Sequence, residues 1–450
     1  LGDVYKRQSL HSIMLMRHGR VIAEGWWRPY RPETRHHLFS LSKSFTSSAV
    51  GMAIADGLFR LDDPVVTLFP EKAPAEIDDK LSRMTVRHLL TMSTGHDRCV
   101  MSSFYDRKHG TDWVRTFLSV PPVYEPGTHF VYNSGASFML SALVQKFSGK
   151  TLVEYLTPRL FEPLGIVDPF WQVNEEGVNL GGWGLWLRTE EIARFAELLR
   201  RGGEWEGRQL IPADYLRMAT SFQMDNSAND SPDWKLGYGF QFWRSQHNSY
   251  RADGACGQFA LVIPDYDITL ATTAGLSNMQ NVLSIVWETL LPGVKRHGDA
   301  LPEHPAAHQA LRARLADLHM PLAQGDLTTR ITDGLYRVSG HNLPGITGLQ
   351  LSFERDSCVL VFDRPAGRET LHAGFGFNCE NMLQLNEPRP RHVAASAAWV
   401  APDVLEIDAC YYETPYQVKF RCELTSGGIR LVRSSNLQFL NPDWEIIEGV

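Results

Sequence analysis

Apolar residues recur along this chain at two spacings, every second position and about every 3.6, and the switches between them outline its elements. From Ser12 to Trp27 two apolar runs flank His18-Gly19, which predicts a β-hairpin. Leu41, Phe45, Ala49, Met52 and Ala53 then recur at helical spacing, predicting a helix that Ser40 opens and Gly57 ends. Helices are also predicted over 85–95, with Thr85 as cap and Gly95 as stop, over 134–148 after the turn Pro126-Gly127, and over 189–201. Near Tyr250 the pattern turns to strands, Q-F-A-L-V-I-P and then residues 265–274, followed by a helix over 278–291. Strands at both ends and helices between them suit one antiparallel sheet completed by both ends of this segment, with a helical region beside it.

Residues 295–328 are polar and rich in Pro and Ala, with a predicted helix over 305–319, and read as a linker. Beyond 329 the pattern is strand-like throughout. Tyr416, Val418, Phe420, Cys422 and Leu424 alternate with polar residues, as do Leu349, Leu351 and Phe353. The expected organisation is therefore α+β over residues 9–294, a linker over 295–328, and an all-β barrel or sandwich over 329–450.

Composition narrows the function. A chain of 450 residues, 43% hydrophobic, can bury more than one core. Its net charge of -7 and lack of a long basic run exclude the electrostatic footprint of a nucleic-acid binder. No apolar run reaches the length of a bilayer span. The six cysteines are scattered without a C-x-x-C pair, so zinc-type spacing is absent, and no metal or cofactor is expected. The first residues, LGDVYKRQ, match neither a signal peptide nor a strand. They read as a truncated start or as residues foreign to the gene, and the compartment, cytoplasmic or periplasmic, stays open.

The candidate chemistry lies at the first helix. Ser40 and Lys43 are three apart and share a helix face. A serine hydroxyl becomes a nucleophile when a base removes its proton. A lysine can be that base once desolvation lowers its pKa. Of the ten lysines, Lys43 alone has a serine three positions before it. Taken by itself, the pair reads more readily as an N-cap serine beside a solvated lysine.

The surrounding text decides between these. S-L-S-K-S-F-T at 40–46 is followed by M-T-V-R-H-L-L-T-M-S-T-G at 84–95, E-P-G-T-H-F-V-Y-N-S-G at 125–135 and L-F-E-P-L-G-I at 160–166. Over roughly residues 12–292 this resembles the serine β-lactamase and penicillin-binding-protein superfamily, with the nearest likeness to its class C-like esterases, D-aminopeptidases and nylon-oligomer hydrolases. The resemblance implies Ser40 as nucleophile, Lys43 as base and Tyr132 as second proton carrier. Tyr132-Asn133-Ser134 stands where the lactamases have Tyr-x-Asn, so Asn133 or Ser134 is expected to hold the lysine or a substrate amide. The third motif falls at Ala252-Asp253-Gly254, with Ala252 where relatives carry a cation that binds a carboxylate. The backbone N–H groups of Ser40 and Ala255 are the expected oxyanion hole, Gly254 and Gly257 the expected close approach to substrate, and Trp183 either an acyl-pocket wall or a core residue. His88 reads as a packed histidine, and Asp62 and Asp63 as loop caps.

The implied activity is two-step acyl transfer on a small-molecule ester, amide or D-amino-acid substrate. An esterase or amidase stands first, and a D-amino-acid peptidase or penicillin-binding-type enzyme second. A degenerate domain that only binds ligands is the reading of another class. The β-domain offers no site of its own; a lid or a packing surface is expected of it, and a homodimer is one expected state.

Overall fold

The computed structural model describes residues 10–106, 110–294, 303–326, 334–337, 346–384, 389–425, 428–437 and 444–449. The stretch 1–8 and the linker segments 295–302 and 327–328 lie outside the described residues.

The N-terminal hairpin forms as expected: β1 (Leu10–Arg17) and β2 (Arg20–Trp26) pair antiparallel across the turn at His18-Gly19. Four later strands complete the sheet: β3 (Trp243–Arg244), β4 (Tyr250–Gly254), β5 (Gln258–Ile263) and β6 (Ile268–Ala274). The order is β2-β1-β6-β5-β4-β3, so β1 pairs with β6, Leu15 facing Leu270. Both ends of this segment thus close one antiparallel sheet.

Alternation along the strands sorts the side chains into two cores. Met14, Met16, Ala252, Ala260, Val262 and Ala271 join the main core with helices α1 (Ser42–Ala55), α2 (Ser134–Ser148) and α3 (Thr189–Arg200). Ile13, Leu15, Phe259, Leu261 and Leu270 face the other way, under the helical segment that starts at Gln280. Helix α1 is buried along nearly its whole length, including Ser42, Lys43, Ser44 and Thr46. A helix with no solvent-exposed face lies inside the protein, and its hydroxyls then need partners.

The predicted helix over 85–95 is cut short. Only Val86–Leu90 is helical, because Met92 adopts a left-handed backbone (φ +57°) and the chain turns away. His88 is not a packed core residue: its Nδ1 accepts the Thr85 N–H at 3.1 Å and caps that short helix. Asp62 and Asp63 serve the loop, Asp63 accepting the Arg60 N–H at 2.7 Å.

After helix α4 (Pro305–Ala316) comes a C-terminal β-domain built on one ten-stranded sheet. Its strands are β7 (Gly334–Arg337), β8 (Gly348–Phe353), β9 (Ser357–Arg364), β10 (Gly367–Phe375), β11 (Cys379–Leu383), β12 (Arg391–Ala401), β13 (Val404–Cys410), β14 (Gln417–Thr425), β15 (Gly428–Ser435) and β16 (Trp444–Gly449). Leu349, Phe362, Leu371, Ala397, Ile407, Phe420 and Leu431 share one core, so the sheet curls over its own apolar face.

Candidate active site

The approach to Ser40 is fixed by a small sheet that the sequence pattern does not announce. His36–His37 pairs with Leu185–Leu187, which pairs with Phe170–Trp171. The Leu38 N–H then donates to the Leu185 carbonyl at 2.9 Å. Phe39 takes a left-handed backbone (φ +48°), a strained state for a bulky residue, and swings Ser40 onto a 3-10 turn ahead of α1. Ser42 secures the turn: its hydroxyl donates to the Phe39 carbonyl at 2.6 Å and accepts the Leu185 N–H at 3.2 Å.

One turn on, Lys43 is 1% exposed. Its Nζ donates to Ser40 Oγ at 3.0 Å, to Ser134 Oγ at 3.1 Å and to the Gly182 carbonyl at 2.6 Å. It also lies 4.8 Å from the centre of the Tyr132 ring. Burial brings this amine down to about 7, with Cys99 and Asp253 opposing the shift. Burial pushes the Tyr132 phenol well above its ordinary value, opposed by a hydrogen bond with Ser40. At neutral pH Tyr132 is therefore a phenol, while burial favours the neutral amine of Lys43.

Ser40, Lys43, Tyr132 and Ser134 come together from two places in the chain, the start of α1 and the start of α2. Of the two residues expected to hold the lysine or a substrate amide, Ser134 meets Lys43, and Asn133 faces backbone N–H groups instead. It is fully buried, and its Oδ1 accepts the Gly135 N–H at 3.0 Å and the Val100 N–H at 3.1 Å, capping α2. The Ser134 N–H meets Cys99 Sγ at 3.3 Å, a neighbour to which no motif spacing points.

The two glycines of the third motif are required by the protein's own packing. Gly254 makes room for the protein: a Cβ there would overlap the Leu38 carbonyl oxygen. Gly257 (φ +94°) completes the turn between β4 and β5, and a Cβ there would press on Ala274 and Leu276. Ala255 opens this turn, and its three carbonyls are all anchored. Ala255 O accepts Gln258 Nε2 at 3.0 Å, Cys256 O accepts the Leu276 N–H at 3.0 Å, and Gly257 O accepts the Thr272 hydroxyl at 2.8 Å. The Gln258 amide also pairs with both backbone groups of Ala274, at 2.7 and 3.1 Å.

Arg251 cannot stand in for the cation missing at Ala252. It is fully buried, donates to Asp253 at 2.8 Å, to the Asp233 carbonyl at 3.0 Å and to Ser245, and stacks 4.3 Å over Trp234. Burial lifts the Asp253 carboxyl to about 6 in spite of Arg251. Trp183 is half-buried beside Gly182, its ring 6.3 Å from Trp113, which Tyr105 meets edge-on at 5.8 Å. Tyr105 is 62% exposed, so this aromatic wall runs from the lysine loop toward solvent. Trp243 stacks on Tyr132 at 5.5 Å on the opposite flank.

Gly182, Cys99, Asp253 and Gln258 were given no role from the sequence. Only the Gly181-Gly182 pair carried a signal, a glycine doublet whose carbonyls receive Thr46 and Lys43. Among the described residues no group of His, Cys, Asp or Glu is gathered as a metal site, and no helix is long and apolar enough to cross a membrane.

The chain is similar to known proteins in sequence and in fold. Residues 9–280, more than half of the chain, match the family model described as Beta-lactamase. Esterase EstB of Burkholderia gladioli is 30% identical over 173 residues, 35% of this chain and 44% of the esterase. The 6-aminohexanoate-dimer hydrolase of Paenarthrobacter ureafaciens is 26% identical over 215 residues, 44% of this chain and 54% of the hydrolase. The alignments thus span about half the length of these relatives. The octameric penicillin-binding protein homologue from Pyrococcus abyssi superposes over 99% of this chain and 97% of its own, with a TM-score of 0.52 at 17% identity, a likeness of fold across both domains. From its sequence match, and in keeping with its fold, the chain belongs to the beta-lactamase family.

Proposed function

We propose that this chain is a serine hydrolase that cleaves a small, neutral ester through an acyl-enzyme on Ser40. The observation that carries the proposal is the Lys43–Ser40 pair: an amine 3.0 Å from the hydroxyl, buried, and brought to about 7. A base poised near the working pH is what nucleophile activation requires.

In the first step the neutral Lys43 amine takes the Ser40 proton as Oγ attacks the carbonyl carbon. The backbone N–H groups of Ser40 and Ala255 receive the resulting oxyanion. Tyr132, as a neutral phenol, relays the proton from the Lys43 ammonium to the leaving oxygen as the C–O bond breaks. Water then loses a proton to the same amine and attacks the acyl carbon, the acid departs, and Ser40 recovers its hydroxyl. Ser134 and the Gly182 carbonyl aim the amine.

Two features support a neutral, apolar substrate over one that carries a carboxylate. The position of the family's cation is Ala252, and Arg251 is engaged by Asp253, Ser245 and Trp234. The wall of Trp183, Trp113 and Tyr105 offers apolar surface to an acyl group.

The test is turnover of nitrophenyl esters, a penicillin and a D-alanine amide by the purified chain. Ester turnover that exceeds both others and vanishes in Ser40→Ala supports the proposal. A long-lived penicilloyl adduct, or faster turnover of the D-amide, moves the assignment to the penicillin-binding or D-peptidase class.

A further inference from the structure

The oxyanion hole proposed above has two halves, the turn that carries Ser40 and the turn that carries Ala255. Each half is tied to a segment that the C-terminal domain holds. On the Ser40 side, the His37 N–H donates to the Glu413 carbonyl at 2.9 Å, three residues before the nucleophile. Glu413 belongs to the loop between β13 and β14, and its neighbour Tyr412 is buried in one apolar cluster with Leu10, Trp27 and Leu276 of the hydrolase segment. In the same loop the Thr414 carbonyl accepts the Tyr30 hydroxyl at 3.4 Å.

On the Ala255 side the link is Gly275. It packs so closely under the Pro415 carbonyl that a Cβ there would lie 2.5 Å from that oxygen. Asn436, just past β15, donates its amide to the Gly275 carbonyl at 3.3 Å and to the Pro415 carbonyl at 3.0 Å. Gly275 lies between Ala274, which Gln258 bridges to the Ala255 carbonyl, and Leu276, whose N–H holds Cys256. One loop of the β-domain therefore reaches both turns.

We propose that the C-terminal domain is a positioning element of the active site, the 411–415 loop and Asn436 fixing the Ser40 turn and the 254–257 turn relative to each other. The proposal rests on the serine-hydrolase reading for its catalytic consequence, though not for its mechanical one. Two donors aimed at one oxygen lose most of their effect when their separation drifts by a fraction of an ångström. A clamp across both turns prevents that drift, and it acts on the transition state more than on substrate binding.

The test uses the full chain with Gly275→Ala, which wedges the seam, together with Asn436→Ala and Asn436→Gln. For a nitrophenyl ester, Gly275→Ala should lower kcat about tenfold or more while KM stays within about twofold. Affinity for phenylboronic acid, which mimics the tetrahedral state on Ser40, should fall by a similar factor. Backbone amides in 36–41 and 252–258 should exchange hydrogen faster. Asn436→Ala should move all three in the same direction, and Asn436→Gln, which keeps an amide donor, should move them less. Unchanged kcat, boronate affinity and exchange in a folded variant overturn the proposal, even if its melting temperature drops. If Gly275→Ala does not fold, Asn436→Ala decides. If the wild-type chain turns over no ester, the function assigned above fails, and the exchange rates still decide whether the domain clamps the two turns.

Discussion

Lys43 Nζ sits 3.0 Å from Ser40 Oγ and 2.6 Å from the Gly182 carbonyl, so the amine is held from below by the backbone while it faces the hydroxyl. In the proposed mechanism that arrangement sets the proton acceptor against the nucleophile and leaves little freedom to miss. Replacing Lys43 by Ala should cut the acylation rate by about 10²-fold or more, read by burst kinetics with a nitrophenyl ester. Retention of near-normal acylation would remove lysine from the base role.

The acidity of this amine should appear in the rate. Burial brings it to about 7, and protonation below that value removes the base. The acid limb of kcat/KM should therefore fall near pH 7. Asp253 favours the charged form of Lys43, so Asp253→Asn should lower the lysine pKa further and move the acid limb to lower pH. A limb that stays in place in the variant contradicts the assignment.

Gln258 is expected to matter without touching substrate. Its amide bridges the Ala255 carbonyl to Ala274. Gln258→Leu removes the bridge at similar volume and should lower kcat by about 10-fold or more with KM little changed. Equal loss in both parameters, or in neither, argues against a role in fixing the turn.

The seam between the domains should be acid-sensitive. His11 and His36 are fully buried with their rings 3.0 Å apart between nitrogens, and His37 stacks on Trp186 near Arg389 and Arg391. Burial holds all three below the ordinary histidine value, His36 at about 4. The unfolded chain binds protons that the fold excludes, so stability is full above about pH 6.5 and is lost as pH falls from there toward 4. Each histidine can contribute a slope of up to about 1.4 kcal/mol per pH unit. Denaturant melts at pH 7 and pH 5 would read it, and a flat profile would count against the seam as drawn.

Trp183 should set acyl preference. Trp183→Ala opens the wall beside Gly182 and should reduce the ratio of kcat/KM for nitrophenyl hexanoate over acetate by about 10-fold, within the range of one lost apolar contact. An unchanged ratio would assign Trp183 to packing alone.

Much of this was legible in the sequence where patterns are long. The hairpin at His18-Gly19 and helices α1, α2 and α3 stand where the spacing of their apolar residues put them. The small sheet of His36–His37 and Leu185–Leu187 was not legible, because strands of two or three residues carry no period. Helix 85–95 was overread because nothing local marks Met92 for a left-handed turn. At the site, Ser40, Lys43 and Tyr132 were named from motif text, and they do converge. The choice between Asn133 and Ser134 stayed open in the sequence because a cap and a ligand use the same side-chain chemistry, and only the fold shows that Ser134 meets Lys43 while Asn133 meets backbone N–H groups. Gln258 and Asp253 act across the chain, on Ala274 and Lys43, and no local spacing points to such pairs.

The most direct measurement is the intact mass of the chain after brief exposure to a nitrophenyl ester, followed by peptide mapping, with Ser40→Ala alongside. The expected result is a mass increase of one acyl group on the peptide holding Ser40 in the wild-type chain and none in the variant. An acyl group on another residue, an equal adduct on Ser40→Ala, or turnover that survives the substitution would contradict the central claim that Ser40 is the nucleophile.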